Sequence, residues 1–208
     1  MEHDTLKTGT TTVGIVCKDA IVLAADMRAT VGHMIMDTDV YKVQPVSSHI
    51  ALTISGGVSA AQLIIKHIKS QIKLHELRVQ RTLSVKEVAN MTSGWLYGLV
   101  RSGGIVHFLM AGYDKKSGPQ LFDVFPDGSV IKKNDYFSSG SGSIFALGVL
   151  DSQYEKDLST EEGVALAEKA IQTAIKRDSA SGNGLNIFVI DSEGVRKVAS
   201  KVVDSTFQ

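Results

Sequence analysis

The sequence predicts an α+β fold: a four-layer αββα sandwich in which two mainly antiparallel sheets face each other and each carries a pair of helices on its outer side. Three observations lead there. Segments with strand and helix character follow in the order strands, two helices, strands, two helices, strands. The links between neighbouring strands are too short for parallel crossovers and so call for hairpins. Finally, 208 residues with 43% hydrophobic and 21% charged side chains, without an internal repeat or an interdomain linker, fit one domain with a sizeable core.

The polar first nine residues, Met1 to Gly9, read as an appendage. From Thr11 to Lys18 small or polar residues alternate with apolar ones, Lys18-Asp19 can turn, and Ala20 to Ala25 is apolar, which makes a hairpin. Short runs at Met34–Met36, Lys42–Val46 and Ile50–Ser55 continue that sheet up to Gly56-Gly57. From Val58 to Val79 the apolar residues Ala61, Ile65, Ile68 and Ile72 recur at helical spacing, with Lys66, Lys69 and Lys73 on other faces. A second helix opens at Ser84-x-x-Glu87, the spacing of a capping box, and carries Val85, Val88, Thr92, Trp95 and Leu99 on one stripe before Gly103-Gly104. Ile105–Tyr113, Gln120–Phe125, Ser129–Lys132 and Tyr136–Ser138 form the second sheet, with Asp127-Gly128 as a hairpin turn. A short helix follows Gly142. A longer one opens at Ser159-x-x-Glu162, turning Val164, Ala167, Ile171 and Ala174 inward, and strands at Leu185–Asp191 and Val195–Ala199 end the domain.

Composition narrows the partners. The 22 Lys and Arg residues balance 22 Asp and Glu residues without a basic run, so nucleic acid is not expected. A neutral surface has little self-repulsion and suits contact with other subunits. Cys17 is the single cysteine, which excludes an internal disulfide and points to a reducing, cytoplasmic setting. The amino terminus lacks a basic signal-peptide region and no apolar run reaches the length of a membrane span, so no membrane association is expected. His3, His33, His49, His67, His75 and His107 lack the spacing of metal ligands, and no metal or cofactor is expected.

Gly9-Thr10-Thr11-Thr12-Val13-Gly14 puts three hydroxyl residues after a glycine at the start of the first strand. Alone, such a run is ordinary strand chemistry. Alone, too, Gly140-Ser141-Gly142-Ser143 reads as a loop leading into a helix, and Arg177-Asp178-Ser179-Ala180-Ser181-Gly182 as a helix C-terminal cap. A phosphate-loop reading of residues 140–143 fails because no Gly-Lys-Ser/Thr follows.

Taken together, TTTVGI at 10–15, KDAIVLAAD at 18–26, Lys42, GSGS at 140–143 and RDSASG at 177–182 resemble the β-subunits of the archaeal-type proteasome core particle, members of the N-terminal-nucleophile hydrolase superfamily. The resemblance runs from Thr10 almost to the end of the chain. It implies a leader, residues 1–9, cut off between Gly9 and Thr10, and a subunit domain at 10–208. Thr10 would be the nucleophile. Its freed α-amine, with an ordinary pKa of about 7.7–8.0, would take the hydroxyl proton, which an amide nitrogen cannot do. By the same resemblance Lys42 lies beside Thr10, where its charge lowers the pKa of amine and hydroxyl; a buried pair with Asp26 would keep that ammonium charged and oriented. Taken without the resemblance, Lys42 reads as a solvent-facing strand lysine. Gly56 would offer its N–H to the oxyanion, and its plainer role is a turn before a helix. Ser141, Asp178 and Ser181 would orient the Thr10 amine, and Ala29, Val40, Ile54 and Val58 would wall an apolar substrate pocket. Each of these four is otherwise sheet core.

The function implied is that of a threonine endopeptidase subunit degrading unfolded polypeptides. It would sit with other β-subunits in a heptameric inner ring, flanked by α-subunit rings through which a regulatory ATPase acts. A structural β-subunit that never processes its leader is the alternative, and a small-molecule amidase of the same superfamily fits the motifs less well. Cys17, inside the first strand, is expected to be buried and inert.

Overall fold

A computed structural model describes residues 9–203, so the predicted appendage lies outside the described residues except for Gly9. The chain opens with the hairpin β1 (Thr12–Val16) and β2 (Ile21–Asp26), paired from Thr12↔Ala25 to Val16↔Ile21. β3 (Ala29–Val31) and β4 (Met34–Asp37) follow, then β5 (Val43–Pro45) and β6 (Ile50–Gly56). Two helices, α1 (Val58–Val79) and α2 (Val85–Val100), lead to β7 (Val106–Asp114), β8 (Gly118–Val124), β9 (Val130–Lys133) and β10 (Tyr136–Ser139). Helices α3 (Ser143–Gln153) and α4 (Thr160–Arg177) precede the closing strands β11 (Gly184–Asp191) and β12 (Gly194–Val202).

The strands form two five-stranded sheets, β10-β1-β2-β11-β12 and β5-β6-β7-β8-β9, in which every pairing is antiparallel. Period-2 alternation gives each sheet two apolar faces. On β2, Ile21, Leu23 and Ala25 enter the layer between the sheets with Val43, Ala51, Leu109, Leu121 and Phe188, whereas Val22 and Ala24 face α3 and α4. This double burial explains why β2 is a continuous apolar run. On the other sheet Ile50, Leu52, Phe108 and Met110 pack against Ile65, Ile68, Val88 and Leu96 of α1 and α2. The four-layer order is therefore helix pair, sheet, sheet, helix pair. Among the described residues no helix is long and apolar enough to cross a membrane.

Both capping boxes form. Ser84 Oγ accepts from the Glu87 N–H and Glu87 Oε2 accepts from the Ser84 N–H at 3.3 and 2.9 Å, and Ser159 and Glu162 repeat the arrangement at 3.2 and 2.9 Å. Trp95, Leu99 and Val164 are only partly buried, while Ala89, Leu96, Leu166 and Ala170 complete the inward faces.

Strand membership corrects the expected partition. β5 and β6 do not extend the sheet of β1 and β2: β6 pairs with β7 from Ile50↔Gly112 to Gly56↔Val106, because α1 and α2 form a hairpin that returns the chain beside its point of departure. β10 leaves the sheet of β7–β9 and pairs with β1, Thr12 opposite Ser139. The run at Met34–Met36 joins neither sheet. It forms a separate two-stranded ribbon with β3, a strand the sequence did not signal, and leaves Met34 and Met36 exposed. Alternation reports which residues share a face and not which strand lies alongside.

Candidate active site

Thr10 stands immediately before β1, at the end of the sandwich where β2 and β6 finish and the loop after α4 returns. Its hydroxyl donates to the carbonyl oxygen of Gly9 at 2.5 Å, so hydroxyl and neighbouring carbonyl are already in contact. The Gly9 N–H donates to Thr30 Oγ1 at 2.9 Å, and a side chain at Gly9 would collide with Ala180. Only glycine fits at this close approach.

Asp26 ends β2 with no exposed surface. Its Oδ1 accepts from the Thr11 N–H at 2.9 Å and from Lys42 Nζ at 2.7 Å; its Oδ2 accepts from the Gly182 N–H at 3.0 Å and the Arg28 N–H at 3.1 Å. Four donors satisfy this buried carboxylate, as a buried charge requires. Lys42 is itself buried, and its Nζ also lies 3.4 Å from the Gly9 carbonyl oxygen. Burial pulls the Lys42 ammonium below its ordinary pKa of 10.5, while Asp26, by charge and hydrogen bond, and then Asp178, by charge, draw it part of the way back. Lys42 is therefore not a solvent-facing strand lysine.

A second network holds the backbone of Thr10. Its N–H donates to Ser141 Oγ at 3.2 Å, and Ser141 donates its own proton to Asp178 Oδ2 at 2.6 Å. Ser181 Oγ donates to the same oxygen at 2.7 Å and so accepts from Thr11 Oγ1, also at 2.7 Å. Asp178 caps the end of α4, and Ser141 leads into α3, so the two helices facing this sheet supply both supports.

Beside Thr10 a cavity of about 40 Å³ is lined by Ala29, Val40, Ile54 and Val58 together with Thr30, Tyr41, Lys42, Gly9 and Gly56. Gly56, at the end of β6, has a φ of +98°, and a Cβ there would run into the carbonyl oxygen of Ile105, so only glycine fits this turn. The fold thus gathers Thr10, Asp26, Lys42, Ser141, Asp178, Ser181, Gly56 and the four pocket residues in one place. Such an array joins a hydroxyl nucleophile, a buried cation and an apolar recess, which suits attack on a peptide carbonyl.

The comparison with known families decides what kind of chain this is: residues 6–190 match the family described as Proteasome subunit. The chain belongs to the proteasome subunit family. A proteasome subunit beta of Methanocaldococcus vulcanius is 38% identical over 200 residues, covering 96% of this chain and 89% of the relative. Those of Haloquadratum walsbyi and Haloferax volcanii are 44% and 43% identical over 191 residues, covering 91% of this chain and 76% of each relative. As a proteasome β-type subunit it serves a protease, a hydrolase of peptide bonds, in assembly with other proteasome subunits.

Three contributors to this site were given no role by the sequence. Thr30 went unseen because β3 did. Thr11 was noted only as part of a threonine run, yet its hydroxyl meets Ser181 and its N–H meets Asp26. Arg28 donates from Nε to Asn183 Oδ1 at 2.7 Å and from NH1 to the Ser179 carbonyl at 2.7 Å, clamping the loop that carries Ser181. Its position two residues after Asp26 was the available signal.

Proposed function

We propose that this chain is a threonine-type endopeptidase subunit that activates itself by cleavage between Gly9 and Thr10. The observation that carries the reading is the Thr10 hydroxyl 2.5 Å from the Gly9 carbonyl oxygen, with Lys42 Nζ 3.4 Å from that same oxygen. Thr10 Oγ attacks the Gly9 carbonyl carbon, and the charge growing on the carbonyl oxygen is met by the Lys42 ammonium. The C–N bond then breaks, the nitrogen takes the proton that the hydroxyl gives up, and the Gly9 acyl group is left as an ester on Thr10. Water hydrolyses the ester, releasing a Gly9 carboxylate and returning the hydroxyl.

The freed α-amine of Thr10 becomes the general base for substrates. Near neutral pH a fraction of it is unprotonated and takes the hydroxyl proton as Oγ attacks; it returns that proton to the leaving amine. Asp26 holds Lys42 charged and aimed. Ser141, anchored by Asp178 with Ser181, orients the amine, and the Gly56 N–H stabilises the oxyanion. The recess of Ala29, Val40, Ile54 and Val58 accepts the side chain on the acyl side of the cut. Membership of the family supports the rest of the reading: a heptameric inner ring of β-subunits, α-subunit rings outside it, a regulatory ATPase acting through them, unfolded polypeptides as substrates, and a cytoplasmic location with no cofactor.

Replacing Thr10 by Ala tests this directly. The assembled variant is expected to keep residues 1–9 by mass spectrometry and to hydrolyse no fluorogenic peptide, whereas the unaltered chain loses them. Hydrolysis by Thr10→Ala at the unaltered rate rejects the mechanism.

A further inference from the structure

Thr10 and Gly56 belong to opposite layers: Thr10 precedes β1 in one sheet and Gly56 ends β6 in the other. The space between the sheets is filled by aliphatic and aromatic side chains such as Leu23, Ala51, Leu109, Leu121 and Phe188. Apolar packing holds layers together without fixing their relative register to a fraction of an ångström, because the hydrophobic effect is non-directional. Hydrogen bonds do fix it, since they demand both distance and angle. At the site end of the sandwich, among the described residues, side-chain hydrogen bonds cross from one sheet to the other at two places. One is Lys42, whose Nζ reaches Asp26 and the Gly9 carbonyl oxygen, already described. The other lies among three buried hydroxyls that the mechanism does not use.

Thr12 Oγ1 on β1 and Ser139 Oγ on β10 are 2.8 Å apart, and Ser139 Oγ lies 3.1 Å from Ser55 Oγ on β6. Ser55 donates to the carbonyl oxygen of His107 on β7 at 3.4 Å. A carbonyl can only accept, so the direction of the chain is set: Ser55 gives its proton to His107, Ser139 to Ser55, and Thr12 to Ser139. All three side chains are at least 95% buried. Thr12 is two residues from Thr10, Ser139 is two residues from Ser141, which receives the Thr10 N–H, and Ser55 is bonded to Gly56.

We propose that Ser139 is a positioning residue: through Thr12 and Ser55 it latches the sheet that carries the nucleophile to the sheet that carries the Gly56 N–H, and so sets where the oxyanion meets its donor. The latch rests on the threonine mechanism proposed above. Without it the two sheets still pack, because the apolar layer is intact, and Lys42 still bridges them, but the donor and the attacking hydroxyl lose the link that runs through their own strands. A misplacement of about 1 Å in a catalytic arrangement costs up to about a hundredfold in rate, and a loosened donor costs less than a deleted one.

Assembled particles carrying Ser139→Ala, Ser55→Ala and both changes are compared with the unaltered protein on a fluorogenic peptide. They are also compared on a peptide boronate, whose adduct with a hydroxyl is tetrahedral and negatively charged. Each single change is expected to lower kcat by about tenfold with KM within about twofold, and to weaken boronate binding in step with kcat. The double variant is expected to lose no more than either single one, because both cut the same link. Should Ser139→Ala fail to assemble, Ser55→Ala carries the test, since it leaves the Ser139–Thr12 bond in place. Full kcat in both single variants, additive losses, or a raised KM at unchanged kcat overturns the latch while an inactive Thr10→Ala leaves the threonine mechanism standing. An active Thr10→Ala removes that mechanism and the latch with it.

Discussion

Lys42 sits where charge is costly, and one partner offsets part of that cost: Asp26 at 2.7 Å, whose remaining lone pairs go to three backbone N–H groups. Removing one member of such a pair strands the other. Lys42→Ala is expected to abolish peptide hydrolysis and to lower stability by about 3–5 kcal/mol, seen as a fall in Tm. Unchanged activity and Tm would show that the pair is dispensable. Cys17, also buried, behaves in the opposite sense. Burial, with Glu161 and Glu162 adding to it, pushes the thiol from 9.0 up to about 12. At pH 8 the native protein is therefore expected to resist iodoacetamide and to take it up only in denaturant. Between pH 9 and about 12 the unfolded chain loses this proton while the folded one keeps it, so stability from this group is complete below pH 9 and falls as pH rises. Rapid alkylation of the native protein at pH 8 contradicts this burial.

At the scale of the element, α2 shows how a helix begins. Ser84 and Glu87 satisfy each other's backbone N–H groups, and Arg81 grips the Glu87 carboxylate at 2.6 and 2.9 Å. The Arg81 hydrogen bond is the largest of the influences that bring Glu87 from 4.5 down to about 2. Its contribution to stability is thus fully present above pH 4.5 and is lost as pH falls through about 2. Ser84→Ala is expected to cost about 1 kcal/mol, read as about fivefold weaker hydrogen-exchange protection in the first turn of α2 with β7 unaffected. Equal loss across β7 would mean that the cap acts through the whole domain instead.

Across the whole molecule, the site exists because two sheets end together. β1, β2 and β6 bring Thr10, Asp26 and Gly56 to one end, and the segments leading into α3 and out of α4 close over them. The recess facing Thr10 is walled by Ala29, Val40, Ile54 and Val58. Lys42 also lines it but is engaged by Asp26, so a charged side chain entering such walls sheds water without finding a free partner. Assembled particles given matched fluorogenic peptides ending in leucine or tyrosine, arginine, and glutamate are expected to show the highest kcat/KM for leucine or tyrosine. Faster turnover of the arginine or glutamate peptide would refute the apolar recess and leave the Thr10 chemistry untouched.

What the amino acids determined by themselves is local. The bounds of α1, both capping boxes, the hairpin of β1 and β2, and the Asp127-Gly128 turn follow from contacts within a few positions along the chain, where periodicity and capping act. The motif residues from Thr10 to Ser181 were legible as types in an order, and their meeting at one place was not visible in spacing alone. The tertiary structure decided that β5 and β6 pair with β7, that β10 crosses to β1, that β3 and β4 stand apart, and that Thr30 and Arg28 join the site. It also decided that Ser55 and Ser139, 84 positions apart, share a hydrogen bond. The physical reason is range. A helix turn or cap is stabilised by neighbours, whereas strand pairing and side-chain convergence depend on closing long loops around a common apolar layer, and that outcome belongs to the packed whole.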